Sequence, residues 1–352
     1  MGKKILMKSG IKPNTFIGGV GATINTPALL ATKLGIAVSR IKAFKVVGSD
    51  IECAIIGNYN IPSSAFSGNS TGITSYNDVE GKVLVLNNAS FNSNTNIVSV
   101  IFPNCTTVNS VNPSTRVFGG CTSLTTVTMP NVTSLGFGSF WGCVGGIAFN
   151  FPLVTSIPSM CFYGASGTFT SFDSVVSLEG QAFLSCNVSG SLNFPICTTM
   201  SGGSTFSDCT ASSIYLPQLI TITNADGRTF KKARNLSSLY LPELTTWGGS
   251  YVGNTAEGVF FRCTSLTSFS APKLTGFQMG FACNNCSSIT LINIPKCILL
   301  GVSNANNNVF FNMKSGCVIN VNVALQTANN GKPDGDLVYA ISARGATVNY
   351  EI

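Results

Sequence analysis

The sequence predicts a repeat solenoid of short parallel strands, built from about ten stacked units. Three observations carry this. Proline recurs as Pro103, Pro130, Pro152, Pro195, Pro217, Pro242, Pro272 and Pro295, with Asp173 in its place once, at intervals of 21–30 residues. In seven consecutive units, from Phe118 to Phe260, a phenylalanine stands 11 or 12 residues before that anchor. The residues just ahead of the anchor alternate apolar, polar, apolar, as in Val127-Thr-Met129 and Ile214-Tyr-Leu216. That alternation is the period of a strand with one buried face.

Taken in chain order, residues 1–54 lie outside the repeat. From Thr26 to Val47 the apolar residues Ala28, Leu29, Leu30, Leu34, Ile36, Ala37, Ile41 and Phe44 suggest an amphipathic helix starting at Thr26-Pro27. Such a segment would cap the first unit or attach the chain to something else. Residues 55–315 hold the repeats. Each strand is about three residues long and has no stability alone, so the units must stack into a parallel sheet over a shared core. The distance from an anchor to the next phenylalanine varies from 10 to 18 residues. Insertions are therefore expected on the side opposite the sheet, which is read as irregular or as helical turns. Residues 316–352 read as a small β closure: Cys317–Val323 alternates, Lys332-Pro-Asp-Gly335 makes a turn, and residues 337–340 and 347–352 follow as strands.

The clearest unit is Phe118-Gly-Gly-Cys121-Thr-Ser-Leu124-Thr-Thr-Val127-Thr-Met129-Pro130-Asn-Val132-Thr-Ser-Leu135, and Ser139-Phe140-Trp-Gly-Cys143 opens the next. Upstream units place Asn69 and Asn94 where later ones have cysteine. A buried Asn or Cys at this corner is able to bond to backbone groups of neighbouring turns. These motifs resemble the BspA-like leucine-rich repeats. The resemblance covers about residues 55–315. It implies a curved parallel-sheet solenoid used for adhesion or recognition, with no catalytic residues to carry over. The ending Gly-Asp-Leu-Val-Tyr339…Arg-Gly-Ala-Thr-Val-Asn-Tyr350 is similar to the tails of repeat-bearing proteins from bacteriophages of Bacteroidetes hosts.

Composition bounds the function. Charged residues are 9% of the chain and apolar ones 44%, against about 25% charged in ordinary soluble domains. The surface is thus Ser, Thr, Asn and Gly, which suits assembly into a larger body. The net charge of +7 comes partly from Lys3, Lys4, Lys8 and Lys12. The sequence places no basic face interleaved with aromatics, so no nucleic-acid partner is expected. No apolar run approaches the roughly 20 residues of a membrane span, and residues 1–10 do not form a secretory signal. The chain is read as made in a host cytoplasm. Thirteen cysteines, an odd number, recur about once per unit and are read as reduced and buried.

Catalytic patterns are weak. The chain has no histidine, the commonest general base and metal ligand. Gly68-Asn-Ser-Thr-Gly72 has the form of a nucleophile elbow but lacks that partner. Cys283-Asn-Asn-Cys286 is half of a zinc site, and Gly18-Gly-Val-Gly21 lacks the Lys-Ser/Thr of a phosphate loop. No enzyme activity, cofactor or metal is expected. The exposed strand column two residues before each anchor (Ile101, Thr128, Asn150, Ser171, Asn193, Tyr215, Tyr240, Ser270, Asn293) is one candidate binding surface, with Tyr215 and Tyr240 as anchors. The insertions at 222–229 and 246–259, with Trp247 and Tyr251, are another. The leading functional expectation is a phage virion component, such as a fibre, spike or receptor-binding protein. It would be homo-oligomeric, would contact other virion proteins, and would bind a host surface protein or glycan without membrane insertion. The alternatives are a bacterial cell-surface adhesin of the BspA-like type and a purely structural decoration or connector.

Overall fold

The computed structural model describes residues 16–17, 24–47, 49–69, 71–170, 172–223, 227–248, 258–278, 280–301, 309–329 and 334–352. The chain forms two compact units, Met1–Val154 with Ala165–Thr170, and Thr155–Gly164 with Ser171–Ile352. Each is a parallel β-solenoid.

In the first unit helix α1 (Pro27–Leu34) starts as the sequence predicts. The Thr26 hydroxyl accepts the Leu29 amide at 3.2 Å, and proline sits in the first turn. The helix is shorter than expected, because Gly35 at φ +64° closes it with a left-handed cap. The β-branched residues beyond it form a strand, Ile41–Val47, which pairs antiparallel with Asp50–Ile55. That hairpin supplies the edge on which the repeats stack: Ser75–Asp78, Ser99–Ile101 and Thr126–Thr128 follow in parallel. Ile147–Phe149 pairs with Ser166–Phe169 in the same sense.

The second unit repeats the pattern. Ser191–Asn193 pairs with Ser213–Tyr215, and Ser238–Tyr240, Ser268–Ser270, Leu291–Ile294, Val318–Asn322 and Thr347–Glu351 form one parallel sheet. The chain end differs from the expected strand pair. Residues 335–344 are helix α2 (Gly335–Arg344), because the Asp334 carboxylate caps the Asp336 amide at 2.9 Å and Gly345 ends the helix at φ +61°. Leu337 and Ala340 are buried one turn apart. The closure is thus strand, helix, strand.

The back of each unit also differs from the irregular side expected. After the anchor, a second run of two- to four-residue strands forms its own parallel ladders. In the first unit these are Tyr59–Ile61, Val83–Leu86 and Thr107–Val108. In the second unit Ser156–Ile157, Ser177–Leu178, Thr199–Ser201, Thr221–Thr223 and Thr246–Gly248 form one ladder, and Gly276–Phe277 pairs with Leu299–Leu300.

The core is a column of phenylalanines, one per turn. In the first unit Phe66, Phe91, Phe118 and Phe140 stack at successive centroid distances of 5.2, 5.3 and 5.2 Å. In the second, Phe162, Phe183, Phe206, Phe230 and Phe260 stack at 5.2, 5.6, 5.5 and 5.8 Å. Each ring is fully buried. Stacking of this kind contributes about 0.5–1.5 kcal/mol per pair beyond the burial itself. Cys283 and Phe310 hold the equivalent positions in later turns.

Three residues after the phenylalanine comes the corner side chain, which in several turns ties its turn to the one before, as the sequence predicts, although Asn69 is exposed and bonds forward to Thr95, and Ala165 and Ala233 stand there with no polar group. Cys121, Cys143, Cys263 and Cys286 donate from Sγ to the carbonyls of Phe91, Phe118, Phe230 and Phe260 at 3.1, 3.0, 2.9 and 3.0 Å. Asn94 does the same to Phe66 at 3.1 Å. Cysteines occupy a second column as well. Cys105, Cys197 and Cys297, two residues past the anchor, bond to the carbonyls of Thr107, Thr199 and Leu299. All thirteen cysteines are buried and free. Burial pushes the thiols of Cys121 and Cys209 up to about 12.

Candidate binding surfaces

The corner turn has a backbone requirement that the phenylalanine frame hides. The residue two places after the phenylalanine has positive φ in turn after turn: Gly120 at 71° and Gly142 at 67°, but also Ser185 at 54°, Asp208 at 55°, Lys232 at 56°, Arg262 at 57°, Asn285 at 61° and Asn312 at 51°. Glycine adopts this conformation freely, whereas a residue with a Cβ is held there at a cost of roughly 1–2 kcal/mol. In the second unit three consecutive turns thus place a charged residue where glycine would be least strained.

On the outer strand face, Tyr215 and Tyr240 project into solvent at 56% and 60% exposure, while Ile214 and Leu239 beside them point into the core at 5% and 1%. The alternation that builds the strand therefore also presents the tyrosines. Tyr215 stands in register with Asn193, and Tyr240 with Ser270. From Ser270 onward the face is a side-chain ladder. Asn293 donates to the Ser270 hydroxyl at 3.0 Å, Asn320 to Asn293 at 3.1 Å, and Asn349 to Asn320 at 2.9 Å. The amides bond to one another in a polar ladder that starts beside Tyr240. Of the other column residues, Thr128, Asn150 and Asn193 are exposed, and Ile101 and Asn293 are half-buried. Ser171 lies outside the described residues.

Trp247 is not part of an exposed loop. It sits in Thr246–Gly248, opposite Ile222 in the back ladder, and is only 4% exposed. Its indole packs edge-on against Phe230, Phe260, Phe269 and Phe277 at 5.6–6.2 Å. The insertion begins only after this second strand, so Trp247 is core and leaves the candidate surface. Tyr251 and most of the 246–259 insertion lie outside the described residues, as do Ser70 of the Gly-rich loop and Gly18–Gly21. Cys283 takes a phenylalanine's place in the core and Cys286 is a corner residue, which accounts for their spacing without a metal.

A buried polar cluster lies in the first unit. The hydroxyls of Tyr59 and Tyr76 are 3.0 Å apart, and the Cys53 thiol donates to Tyr76 at 3.3 Å. Beside them Asp78 accepts the Val83 amide at 2.6 Å through one oxygen, while its other oxygen has no partner. Burial pushes Asp78 from the ordinary 3.8 to about 6, against the pull of the Val83 and Lys82 amides. The group is sealed from solvent, so it holds the fold and offers nothing to a ligand.

One surface was invisible in the sequence. Along the corner of the second unit a shallow groove is lined by Arg234, Arg262, Thr264, Asn285, Ser287 and Asn312. It continues past Arg234 to Lys232, Asp208 and Thr210. Lys232 and Arg262 are 30 residues apart in sequence and become neighbours only when turns stack.

Comparison with known proteins gives a consistent assignment of the repeat. The family model described as "BspA type Leucine rich repeat region" matches residues 54–145 and 155–256, in six copies. No curated protein matches the chain. Among solved structures, the chain is similar to a leucine-rich cell-surface protein from Faecalibacterium prausnitzii, at 18% identity over 79% of this chain and 86% of that one, with a TM-score of 0.35. A leucine-rich-repeat protein from Eubacterium ventriosum shares 16% identity over 76% and 82% of the two chains, with a TM-score of 0.40. The pneumococcal vaccine antigen PcpA shares 11% over 89% and 97%, with a TM-score of 0.40. Among the described residues, no helix is long and apolar enough to cross a membrane.

Proposed function

We propose that this chain, which belongs to the BspA-type leucine-rich-repeat family, is a bacterial cell-surface adhesin that works by binding, without turnover. The observation that carries the reading is the pair Tyr215 and Tyr240, more than half exposed on a rigid sheet face. Two large, stiff rings with polar tips, and a hydrogen-bonded amide ladder that starts beside Tyr240, form a contact surface that loses little entropy on binding. The partner is a host macromolecule, protein or glycan, wide enough to cover several strands.

The family match supports this adhesin better than the virion fibre first expected. The phage reading rests only in part on the last residues, beside the low charge and the reduced cysteines, and in the fold these residues are α2 and a strand that continues the repeat sheet. Closing the sheet is a structural task compatible with either setting.

The test is adhesion. The chain displayed on a non-adherent bacterium should confer attachment to mucin-coated surfaces or epithelial monolayers. Tyr215→Ala with Tyr240→Ala should reduce it at least tenfold while the circular dichroism spectrum is unchanged, since aromatic anchors of this kind dominate interface energies. Undiminished attachment by the double variant would remove the face from the account. Labelling of intact source cells with an antibody should stain their surface, and staining of virions alone would restore the phage reading.

A further inference from the structure

We propose that the corner groove of the second unit is a separate site for an anionic polysaccharide, one bearing uronate or sulfate groups. Its floor is set by the stacked turns. The Asp208 amide donates to the Lys231 carbonyl at 2.7 Å, the Lys232 amide to Phe261 at 2.7 Å, and the Arg262 amide to Asn284 at 2.9 Å. Turns joined in this way repeat at roughly 4.8 Å, so the five from Asp208 to Asn312 span about 19 Å, the length of a short run of sugar units.

Charge in the groove is one-sided. Asp208 is the one carboxylate among the described residues that line it, and it faces Lys232 at 3.8 Å. Arg234 and Arg262 form no ion pair among the described residues, and the Arg262 guanidinium lies 5.0 Å over the Phe261 ring, which holds it in place. In a chain with so few charges, two unneutralised arginines and a lysine on one line are a concentration of positive potential. The arginine fork matches carboxylate and sulfate oxygens in pairs.

The rest of the lining decides the class of anion. Thr264, Ser287, Asn285 and Asn312 offer hydroxyls and amides to sugar hydroxyls. Among the described residues, no aromatic side chain lines the groove to stack a base, which a single-stranded nucleic acid would need. The site does not depend on the tyrosine face.

The experiment uses the intact chain and four probes: a heparin-derived octasaccharide, an oligogalacturonate, neutral dextran and an oligothymidylate. Titration calorimetry should show binding to at least one anionic glycan, weakening as salt rises, and none to dextran. Binding of the oligogalacturonate shows that carboxylates suffice, and binding of the heparin fragment alone, which carries sulfate as well as uronate, shows that sulfate is required. Arg234→Gln with Arg262→Gln should weaken binding at least tenfold, and so should Arg262→Gly combined with Arg234→Gln. The glycine there takes the conformation of Gly120 and Gly142, so misfolding does not explain that loss. The Tyr215 and Tyr240 alanine variants should bind these glycans as the parent does, even if adhesion is lost. Failure of both anionic glycans to bind, unchanged binding by the arginine variants, or tighter binding of the oligothymidylate would overturn the proposal.

Discussion

Replacing Asn94 by alanine should cost the first unit about 3–5 kcal/mol, and replacing it by cysteine only about 1–2 kcal/mol. Asn94 is fully buried at its corner. Its Nδ2 donates to the Phe66 carbonyl at 3.1 Å, and its Oδ1 accepts the amides of Asn96 and Ile97, each at 3.1 Å. Alanine removes all three bonds. It takes the side-chain donor from the buried Phe66 carbonyl and the acceptor from the buried Ile97 amide, and each such loss is worth roughly 1–3 kcal/mol. Asn96 lies nearer solvent and adds less. Cysteine preserves the bond to the preceding turn, as Cys121 shows by reaching Phe91. In the Cys121 turn the Leu124 amide bonds to the Cys121 backbone carbonyl instead, at 3.2 Å; that answer for the Ile97 amide is open to both variants, so the bond to the preceding turn is what separates them. Urea unfolding of both variants reads the total, and hydrogen exchange at Ile97 reads the site. For alanine, exchange should speed up more than a hundredfold, the equivalent of about 3 kcal/mol. If the cysteine variant were as unstable as the alanine one, or if alanine cost less than about 1 kcal/mol, the shared role assigned to Asn and Cys would be wrong.

Two further outcomes follow from the buried groups. The thiolate is the form that reacts, and burial pushes Cys105 up to about 11 and Cys121 and Cys197 up to about 12. An aromatic disulfide reagent at pH 8 should therefore label essentially none of the cysteines in minutes and all thirteen in strong denaturant; prompt labelling of the native chain would contradict the packing described. Asp78 has a higher pKa folded than unfolded, so folding takes up a proton there. Its contribution is then most favourable below about pH 4 and declines as pH rises through about 6. Asp78→Asn keeps an oxygen for the Val83 amide and should flatten the stability profile between those values, whereas an unchanged profile would place the titration elsewhere.

The parts of the fold legible in the sequence were those with long, fixed spacing. Phe118 to Pro130, and the same interval in its neighbours, specify a turn that stacks, and the exchange of Asn94 for Cys121 reveals a corner that bonds to the turn before. The second ladder was not legible, because Ser177–Leu178 or Gly276–Phe277 are too short to display a period. Trp247 was misplaced for that reason: without the strand it belongs to, it reads as the start of a loop. The apolar run Leu337-Val-Tyr-Ala340 reads as a strand, although the caps Asp334 and Gly345 mark a helix there. The face of Tyr215 and Tyr240 followed from alternation alone. The groove at Lys232, Arg234 and Arg262 did not, since distant residues are joined there by stacking and by a left-handed backbone that only coordinates display.

Each repeat carries its own phenylalanine, corner residue, front strand, anchor and back strand, and makes its bonds to the turns on either side. Within a unit of the solenoid, the gene is therefore free to gain or lose a whole copy without disturbing those that remain. The loss of one residue within a front strand is different, since it would turn that strand's buried side outward. Reach can thus change in whole-turn steps by unequal recombination, which makes overall length the cheapest property of this molecule to evolve.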